Sequence, residues 1–247
     1  MGDVSEPTEQ RYWVPRHIRA CVTGTGAVLL NLKRNRYSGL GVTEIRSLSA
    51  LAQNWAEVST VTGTTVEPMP PEKAARLAVA LMNAGLLTDQ PPTDAPLALS
   101  SVRTDAVLTS VGFEMQRPSR IRIRDVIAFA RACVWAKRAV DSRLLYSIVR
   151  EVGQFKRSSL RARDVERAVQ LVCIFRRLRP YAFSAKDQCL FHALALLKFL
   201  SLSGIVATWV VAVRPIPWAA HSWLQLDDLV LDCNPEEIDG YTPILSV

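Results

Sequence analysis

The clearest pattern along the chain is a fully apolar stretch followed by an apolar, β-rich run. Residues 189–197 are almost wholly apolar, as in a helix that is buried on all sides. Ser184 or Asp187 can serve as its N-cap, and Gly204 supplies its stop. Residues 205–213 then form a run long enough for a central strand of a sheet. The pattern therefore predicts a buried helix that leads into a buried strand.

The predicted helix opens with a cysteine. Cys189 falls in or near the first turn, where unpaired backbone amides and the positive end of the helix dipole favour a thiolate. A thiolate, helped by a nearby imidazolium, is the form of cysteine that acts as a nucleophile. A lone cysteine is more often a small apolar core residue, so its position alone does not establish a nucleophile.

A β-hairpin is predicted after the buried strand. Residues 221–226 and 229–232 form two strand-like segments joined by a two-residue turn at 227–228. In that register His221 and Asp232 are diagonal neighbours on one face of the hairpin, within reach of a hydrogen bond. The turn sets the cross-strand pairs: Leu226 with Leu229, Trp223 with Asp232, and His221 with Asn234.

His221 and Asp232 supply what a nucleophilic cysteine needs, a base and a carboxylate that orients the base. His192 lies one turn along the helix from Cys189 and is less able to approach from the opposite side, which favours His221. Asn234 is the substitute orienting residue if the register of the hairpin differs. The opposing interpretation is a structural histidine and an aspartate that caps a turn, and spacing alone leaves both open.

A separate group of elements precedes this region. Its apolar pattern predicts three short strands, two helices and a wing strand, at residues 17–22, 27–32, 36–38, 42–55, 70–85 and 86–88. This order is typical of a winged helix-turn-helix over residues 17–89. Winged helices commonly bind DNA, but residues 1–90 hold nine Lys and Arg against eight Asp and Glu. A nucleic-acid module concentrates positive charge, so nucleic-acid binding is the weaker interpretation.

Composition marks the boundaries of these regions. Residues 1–16 are predicted to be a disordered tail, 90–117 a linker containing Pro, Ser and Thr, and 118–247 a second domain. Residues 117–179 carry seventeen Lys and Arg against five Asp and Glu. Such a surface is either a solvated basic face or one that attracts an acidic peptide or a partner protein. Nucleic acid is a weaker alternative, because aromatic side chains suited to base stacking are not interleaved through the basic run.

The length and the cysteine content narrow the class of protein. A chain of 247 residues suits one large or two small domains with ample core. The five cysteines are odd in number and show no C-x-x-C spacing, which favours a reducing cytoplasm over a disulfide framework or a zinc site. No secretory signal or membrane-spanning run is found, so a cytoplasmic protein without a membrane partner is predicted.

Five segments of the C-terminal region together resemble the lasso peptide leader peptidases, the B proteins of lasso peptide biosynthesis. They are the segments 189–197, 204–205, 221–225, 230–232 and 241–244. The resemblance implies an α+β fold whose papain- or transglutaminase-like domain packs a Cys-bearing helix on an antiparallel sheet. It also implies that Cys189, His221 and Asp232 form a triad that cuts the leader peptide from the core peptide.

Residues 30–40 resemble the precursor-peptide recognition element shared by many peptide-modifying systems. In that family the leader peptide adds as a strand to the exposed third strand and packs on the last helix. The residues implied here lie on that strand and that helix: Arg36, Tyr37, Ser38, Arg76, Leu77 and Leu81. The apolar helix positions are equally well explained as core residues.

The same resemblance implies a partner. The freed amine of the core peptide would be condensed by an ATP-dependent, asparagine-synthetase-like cyclase, so ATP belongs to that partner. The chain itself shows no P-loop glycine pattern and is expected to need no cofactor. Two rival functions remain, a non-catalytic scaffold that delivers the precursor to the cyclase and a winged-helix regulator that binds nucleic acid.

Overall fold

The computed structural model shows a mixture of helices and sheets, as predicted. It describes residues 11–55, 69–93, 97, 109–110, 120–154, 162–183 and 188–247. The chain divides into two compact units, Met1–Pro96 and Leu97–Val247. The predicted N-caps Ser184 and Asp187, and most of the predicted linker, lie outside the described residues.

The first unit contains a three-stranded antiparallel sheet. Its strands are β1 (Ile18–Thr23), β2 (Gly26–Asn31) and β3 (Arg36–Leu40), in the order β1-β2-β3. Every residue of β2 is buried, as expected for the central strand. Gly26 has a φ of +154°, and a Cβ at this position would lie 2.3 Å from the carbonyl oxygen of Leu40. The three strands predicted from the apolar pattern are therefore confirmed, with ends shifted by one or two residues.

Two helices follow this sheet. Helix α1 spans Val42–Leu51, shorter than the predicted 42–55, and the Glu44 carboxylate accepts a hydrogen bond of 2.7 Å from the N–H of Gly41 at its start. Helix α2 spans Pro71–Asn83 and begins with proline, whose missing N–H costs nothing at that position. In place of a wing strand, a single antiparallel bridge joins Thr88 to Trp13.

The predicted N-terminal tail is wrong from residue 11 onward. Tyr12 and Val14 are buried in the core of the first unit, and Tyr12 also forms a bridge with Ala52. The backbone of Val14 makes two hydrogen bonds with the Asn54 side chain, an amide N–H to Oδ1 at 2.7 Å and Nδ2–H to the carbonyl at 2.9 Å. The burial of these apolar residues and the hydrogen bonds of the backbone hold this segment in the first unit.

The second unit begins its described part with a short strand and continues with helices. The strand β4 and the helices α3, α4, α5 and α6 cover Thr109–Ser110, Ile123–Ser142, Leu145–Gln154, Ala162–Leu178 and Cys189–Ser201. Strand β4 lies inside the segment 90–117 that was expected to be a linker. No helix in the described ranges is both long enough and apolar enough to cross a bilayer.

A five-stranded sheet completes the second unit, in the order β4-β7-β6-β5-β8. Strands β5, β6, β7 and β8 and the short helix α7 cover Thr208–Arg214, Ala219–Leu226, Leu229–Val230, Thr242–Ser246 and Pro235–Ile238. All pairings are antiparallel except that of β4 with β7. Helix α6 packs against α3 and against β6, so the cysteine-bearing helix lies on an antiparallel sheet.

Candidate active site

Cys189 is the first residue of helix α6 and is half-buried. The N-cap is Gln188, whose carbonyl accepts the first helical hydrogen bond, 2.9 Å from the N–H of His192. The amide of Cys189 is therefore among the first four N–H groups of the helix, which have no acceptor within it. The sequence placed the cysteine correctly in the first turn.

Cys189, His221 and Asp232 line one cavity of about 280 Å³. The helix α6 contributes the cysteine, strand β6 contributes the histidine, and the segment after β7 contributes the aspartate. The other lining residues are mostly polar: Arg176, Arg179, His192, Ser222, Cys233, Asn234 and Glu237. The cavity therefore brings together the three residues that the sequence selected from distant parts of the unit.

The hairpin that carries the histidine follows the predicted register only near its turn. Gln225 pairs with Val230 and Leu226 with Leu229, and the ladder then ends. The N–H of Leu231 still reaches the carbonyl of Leu224 at 3.0 Å. The predicted pairs Trp223 with Asp232 and His221 with Asn234 are wrong, because the chain leaves the ladder toward helix α7.

The expected contact between His221 and Asp232 is also absent. In the described part of the chain no hydrogen bond or ion pair joins them, and Asp232 Oδ1 instead accepts a hydrogen bond of 2.9 Å from the N–H of Leu224. The His221 ring lies 6.1 Å from Trp223 and 5.7 Å from Tyr241, centroid to centroid. Its Nε2 is buried, and no described atom within bonding distance pairs with it. The two residues share a cavity without a direct bond.

His192 lies in this cavity, contrary to the reasoning that set it aside. Residues three apart on a helix share a face, so His192 and Cys189 point to the same side of α6. His192 Nδ1 lies 3.8 Å from Asp232 Oδ2, and its ring packs 5.6 Å from that of Phe175. The i, i+3 spacing was the signal in the sequence that could have identified it.

Burial controls the charges of these groups. It raises the pKa of Asp232 to about 7, against the opposing effects of the Leu224 hydrogen bond and the Arg176 charge. Burial, helped by the charges of Arg179 and Arg176, lowers the pKa of His192 to about 4. Burial also lowers the pKa of His221, while Glu237 opposes the change. Both imidazoles are therefore neutral at pH 7, and Asp232 is close to its midpoint.

Burial also raises the pKa of three cysteines. It raises the pKa of Cys133 to about 11 and that of Cys21 to about 12, and together with Asp232 it raises the pKa of Cys233. These three sulfurs stay protonated at neutral pH and are poor nucleophiles. Cys233 lines the same cavity as Cys189, which makes it the natural control for experiments on the nucleophile.

Two arginines on this cavity escaped the reasoning from sequence. Arg176 lies in the last turn of helix α5 and donates a hydrogen bond of 3.0 Å to the carbonyl of Leu231, next to Asp232. Arg179 stands in the short 3₁₀ turn that follows. They had been counted only as part of the basic region 117–179, because nothing in their local pattern shows that they line this cavity, or that Arg176 bonds to Leu231, 55 residues on. No cluster of three or more His, Cys, Asp or Glu in the described residues is arranged to hold a metal ion.

The residues expected to bind a leader peptide lie in the first unit. Arg36 is exposed and Tyr37 and Ser38 are half-buried on β3, which pairs only with β2 in the described sheet. The three residues expected on helix α2 differ in exposure: Arg76 is exposed, Leu77 is partly buried, and Leu81 is a core residue at 6% exposure. The strand and the outer face of the helix are accessible, whereas Leu81 packs inward.

The fold and the cavity together suit cysteine-dependent chemistry, since a thiol at the start of a helix lines one cavity with a histidine from strand β6 and an aspartate from the segment after β7. Residues 107–246 match the model of the transglutaminase-like superfamily, which covers more than half of the chain. The chain belongs to this superfamily. Its members are commonly cysteine-dependent enzymes and include cysteine peptidase-like enzymes. No curated protein and no solved structure gave a match.

Proposed function

We propose that the protein is a cysteine peptidase that binds the leader of a lasso peptide precursor and cuts it from the core peptide. The observation that carries the proposal is the shared cavity, which Cys189, His221 and Asp232 all line. The superfamily match supports a cysteine-dependent enzyme. The resemblance of the segments around these residues to the lasso leader peptidases supplies the substrate.

In the proposed reaction the sulfur of Cys189 attacks the carbonyl carbon of the peptide bond between leader and core. His221 takes the thiol proton and delivers it to the leaving amine as the C–N bond breaks. Water then hydrolyses the thioester, which releases the leader carboxylate and restores the thiol. The N–H of Cys189, one of the first four of helix α6 and so without an acceptor within it, contributes to the oxyanion hole.

Asp232 is the proposed orienting carboxylate. It is not bonded to His221 in this structure, so the reaction needs the two side chains to approach each other when substrate enters. Catalytic hydrogen bonds are often long before substrate binds, which makes this requirement an ordinary one. Asn234, which lines the same cavity, remains the substitute orienting residue.

His192 is a second candidate for the base because it approaches Asp232 more closely than His221 does. We favour His221 because it comes from strand β6, a different element from the nucleophile, whereas His192 lies one turn along helix α6 from Cys189. Replacing the true base with alanine should lower kcat by about 10²- to 10⁴-fold. A larger loss in His192→Ala than in His221→Ala would reverse the assignment.

The first unit is proposed to hold the leader by β-augmentation. The leader would add as a fourth strand beside β3, along Arg36, Tyr37 and Ser38, and pack on helix α2 at Arg76 and Leu77. Leu81 would support that surface from the core. Because recognition and cleavage lie on one chain, the bound leader is at a high effective concentration near the peptidase. The freed core is handed to an ATP-dependent cyclase.

The deciding experiment compares Cys189→Ala with Cys233→Ala in the full chain, incubated with precursor peptide and followed by mass spectrometry. The first variant should release no leader, while the second should cleave at close to the wild-type rate. Continued cleavage by Cys189→Ala would refute the peptidase. Leader binding by wild type without any cleavage would favour the scaffold, and salt-sensitive binding of duplex DNA without leader binding would favour the regulator.

A further inference from the structure

A second and larger cavity, of about 780 Å³, is also lined by the candidate nucleophile. Helix α3 forms one wall of it, and the start of α6 together with Ala182 and Phe183 forms the other. Cys189 lines both this cavity and the polar one that holds His221 and Asp232. The sulfur-bearing residue therefore stands at the boundary between two spaces of different character.

The larger cavity is lined mainly by apolar side chains, together with Lys137, Arg138, Asp141 and Gln188. Val134 and Val140 of α3 face it and are 52% and 39% exposed, although large apolar side chains are normally covered. The rings of Phe183 and Phe191 meet edge to face at 4.6 Å and form the opposite side. Cys133 adds an uncharged thiol, since burial raises its pKa to about 11. The volume lies within the range of pockets that enclose small ligands.

The chemistry of peptide cleavage decides which part of a substrate meets which cavity. The leaving amine must come within reach of the imidazole that protonates it. Of these two cavities His221 lines the polar one, so the peptide on the amine side of the scissile bond is directed there. The peptide on the carbonyl side then lies toward the other space that Cys189 borders.

We propose that the larger cavity, here named the acyl pocket, binds apolar side chains of the peptide segment immediately before the scissile bond. The inference rests on the proposed function, because it assigns one end of the substrate to each cavity. Its consequence is specificity: leaders that end in bulky apolar residues are cleaved efficiently, and leaders that end in glycine or aspartate are not. Desolvation of those side chains against Val134 and Val140 provides the binding free energy.

Affinity labelling of Cys189 tests the acyl pocket without requiring hydrolysis. A chloromethyl ketone forms an S–C bond to the thiolate and expels chloride. A leucyl-phenylalanyl reagent and a glycyl-glycyl reagent carry the same reactive group and differ only in their side chains. Labelling is located by mass spectrometry of the digested full chain. The apolar reagent should label Cys189 at least tenfold faster at low concentration and should show saturation.

Two matched variants on one helix identify where the preference arises. Val134→Asp places a charge on the wall of the acyl pocket, and Val126→Asp places the same charge at a comparably exposed site, 45%, that does not line it. Val134→Asp should abolish most of the preference for the apolar chloromethyl ketone, whereas Val126→Asp should retain it. The rate at which iodoacetamide labels Cys189 should stay unchanged. Val140→Asp gives an independent wall position if Val134→Asp proves unstable in thermal unfolding.

The outcomes distinguish the acyl pocket from the proposed peptidase function on which it rests. Equal rates for the two chloromethyl ketones, or equal effects of Val134→Asp and Val126→Asp, would overturn the acyl pocket even if the precursor is cleaved. A clear apolar preference without cleavage of the precursor would instead remove the peptidase and leave an apolar binding site beside a reactive thiol.

Discussion

At the scale of single residues, the carboxyl group of Asp232 should make the protein less stable as pH rises. An unfolded aspartate ionises near 3.8, but burial keeps this carboxyl protonated up to about pH 7 in the folded protein. Between those values the folded state binds more protons than the unfolded state, so the free energy of unfolding falls with rising pH and stays low above 7. Asp232→Asn, which cannot ionise, should gain about 1 kcal/mol or more at pH 8, since each pKa unit corresponds to about 1.4 kcal/mol.

Urea unfolding of the full chain at pH 5 and pH 8 measures this effect. The advantage of Asp232→Asn over wild type should grow from the lower to the higher pH, and under the proposed mechanism the variant should not cleave precursor at either pH. An advantage that is equal at the two pH values would show that the carboxyl is already ionised at pH 5 in the folded state.

His192 should act in the opposite direction. Its pKa is lowered to about 4, from an ordinary value of 6.5. Between those values the unfolded state binds more protons, so this residue removes stability as pH falls from 6.5 toward 4. The free energy of unfolding of His192→Phe should therefore fall less than that of wild type between pH 7 and pH 5. The difference between the two decreases should be about 1 to 2 kcal/mol. An unchanged slope would assign the acid sensitivity to other groups.

The residues that line the cavity were predicted from the sequence more accurately than the hydrogen bonds between them. Cys189, His221 and Asp232 were found because a helix start and two strands have recognisable local patterns. The missing bond between His221 and Asp232 was not predictable, since it depends on where the ladder ends, and Asp232 is held by one backbone N–H of Leu224. Arg176 escaped because long-range packing leaves no local pattern.

At the scale of elements, the first sheet depends on a glycine at the start of its central strand. A Cβ on Gly26 would lie 2.3 Å from the carbonyl oxygen of Leu40, and the φ of +154° disfavours any side chain. Gly26→Ala should destabilise the first unit by about 1 to 3 kcal/mol. Gly24→Ala, in the same hairpin with open space around it, is the matched control.

Differential scanning calorimetry of the full chain distinguishes these two variants. Gly26→Ala should lower the transition that belongs to the first unit and leave the iodoacetamide reactivity of Cys189 unchanged. Equal transition temperatures for the two variants would show that the strand relaxes around the added methyl group.

Elements with strong local periodicity were predicted well, and those made by distant pairing were not. The strands around the Gly24 turn and the all-apolar helix α6 were located to within a residue or two. Strand β4 was taken for linker, because β7, its partner among the described strands, lies more than a hundred residues away. The segment at Tyr12 was taken for tail because short apolar runs carry no period.

At the scale of the whole molecule, the charge is unevenly distributed. The chain has a net charge of +7, and residues 117–179 alone hold seventeen Lys and Arg against five Asp and Glu. If this region attracts an acidic leader, association should weaken with salt, since the screening length falls to about 10 Å at 0.1 M. The value of kcat/KM for the precursor should drop severalfold from 50 to 300 mM NaCl, with kcat constant.

A precursor whose leader acids are replaced by amides provides the control for the salt series. Its kcat/KM should be lower at 50 mM NaCl and nearly independent of salt. Parallel salt curves for the two precursors would mean that the basic region serves another partner or is only a solvated face.

One residue that borders two dissimilar spaces also offers a route to inhibition. An inhibitor could carry an apolar group for the acyl pocket and a hydrogen-bonding group for the polar cavity. The two arms would be joined at a single electrophilic carbon beside Cys189. Once the sulfur has bonded to that carbon, each arm is tethered next to its own recess, and neither needs high affinity by itself. Selectivity would then come from the combination of arms, because other thiol enzymes would have to match both recesses at once.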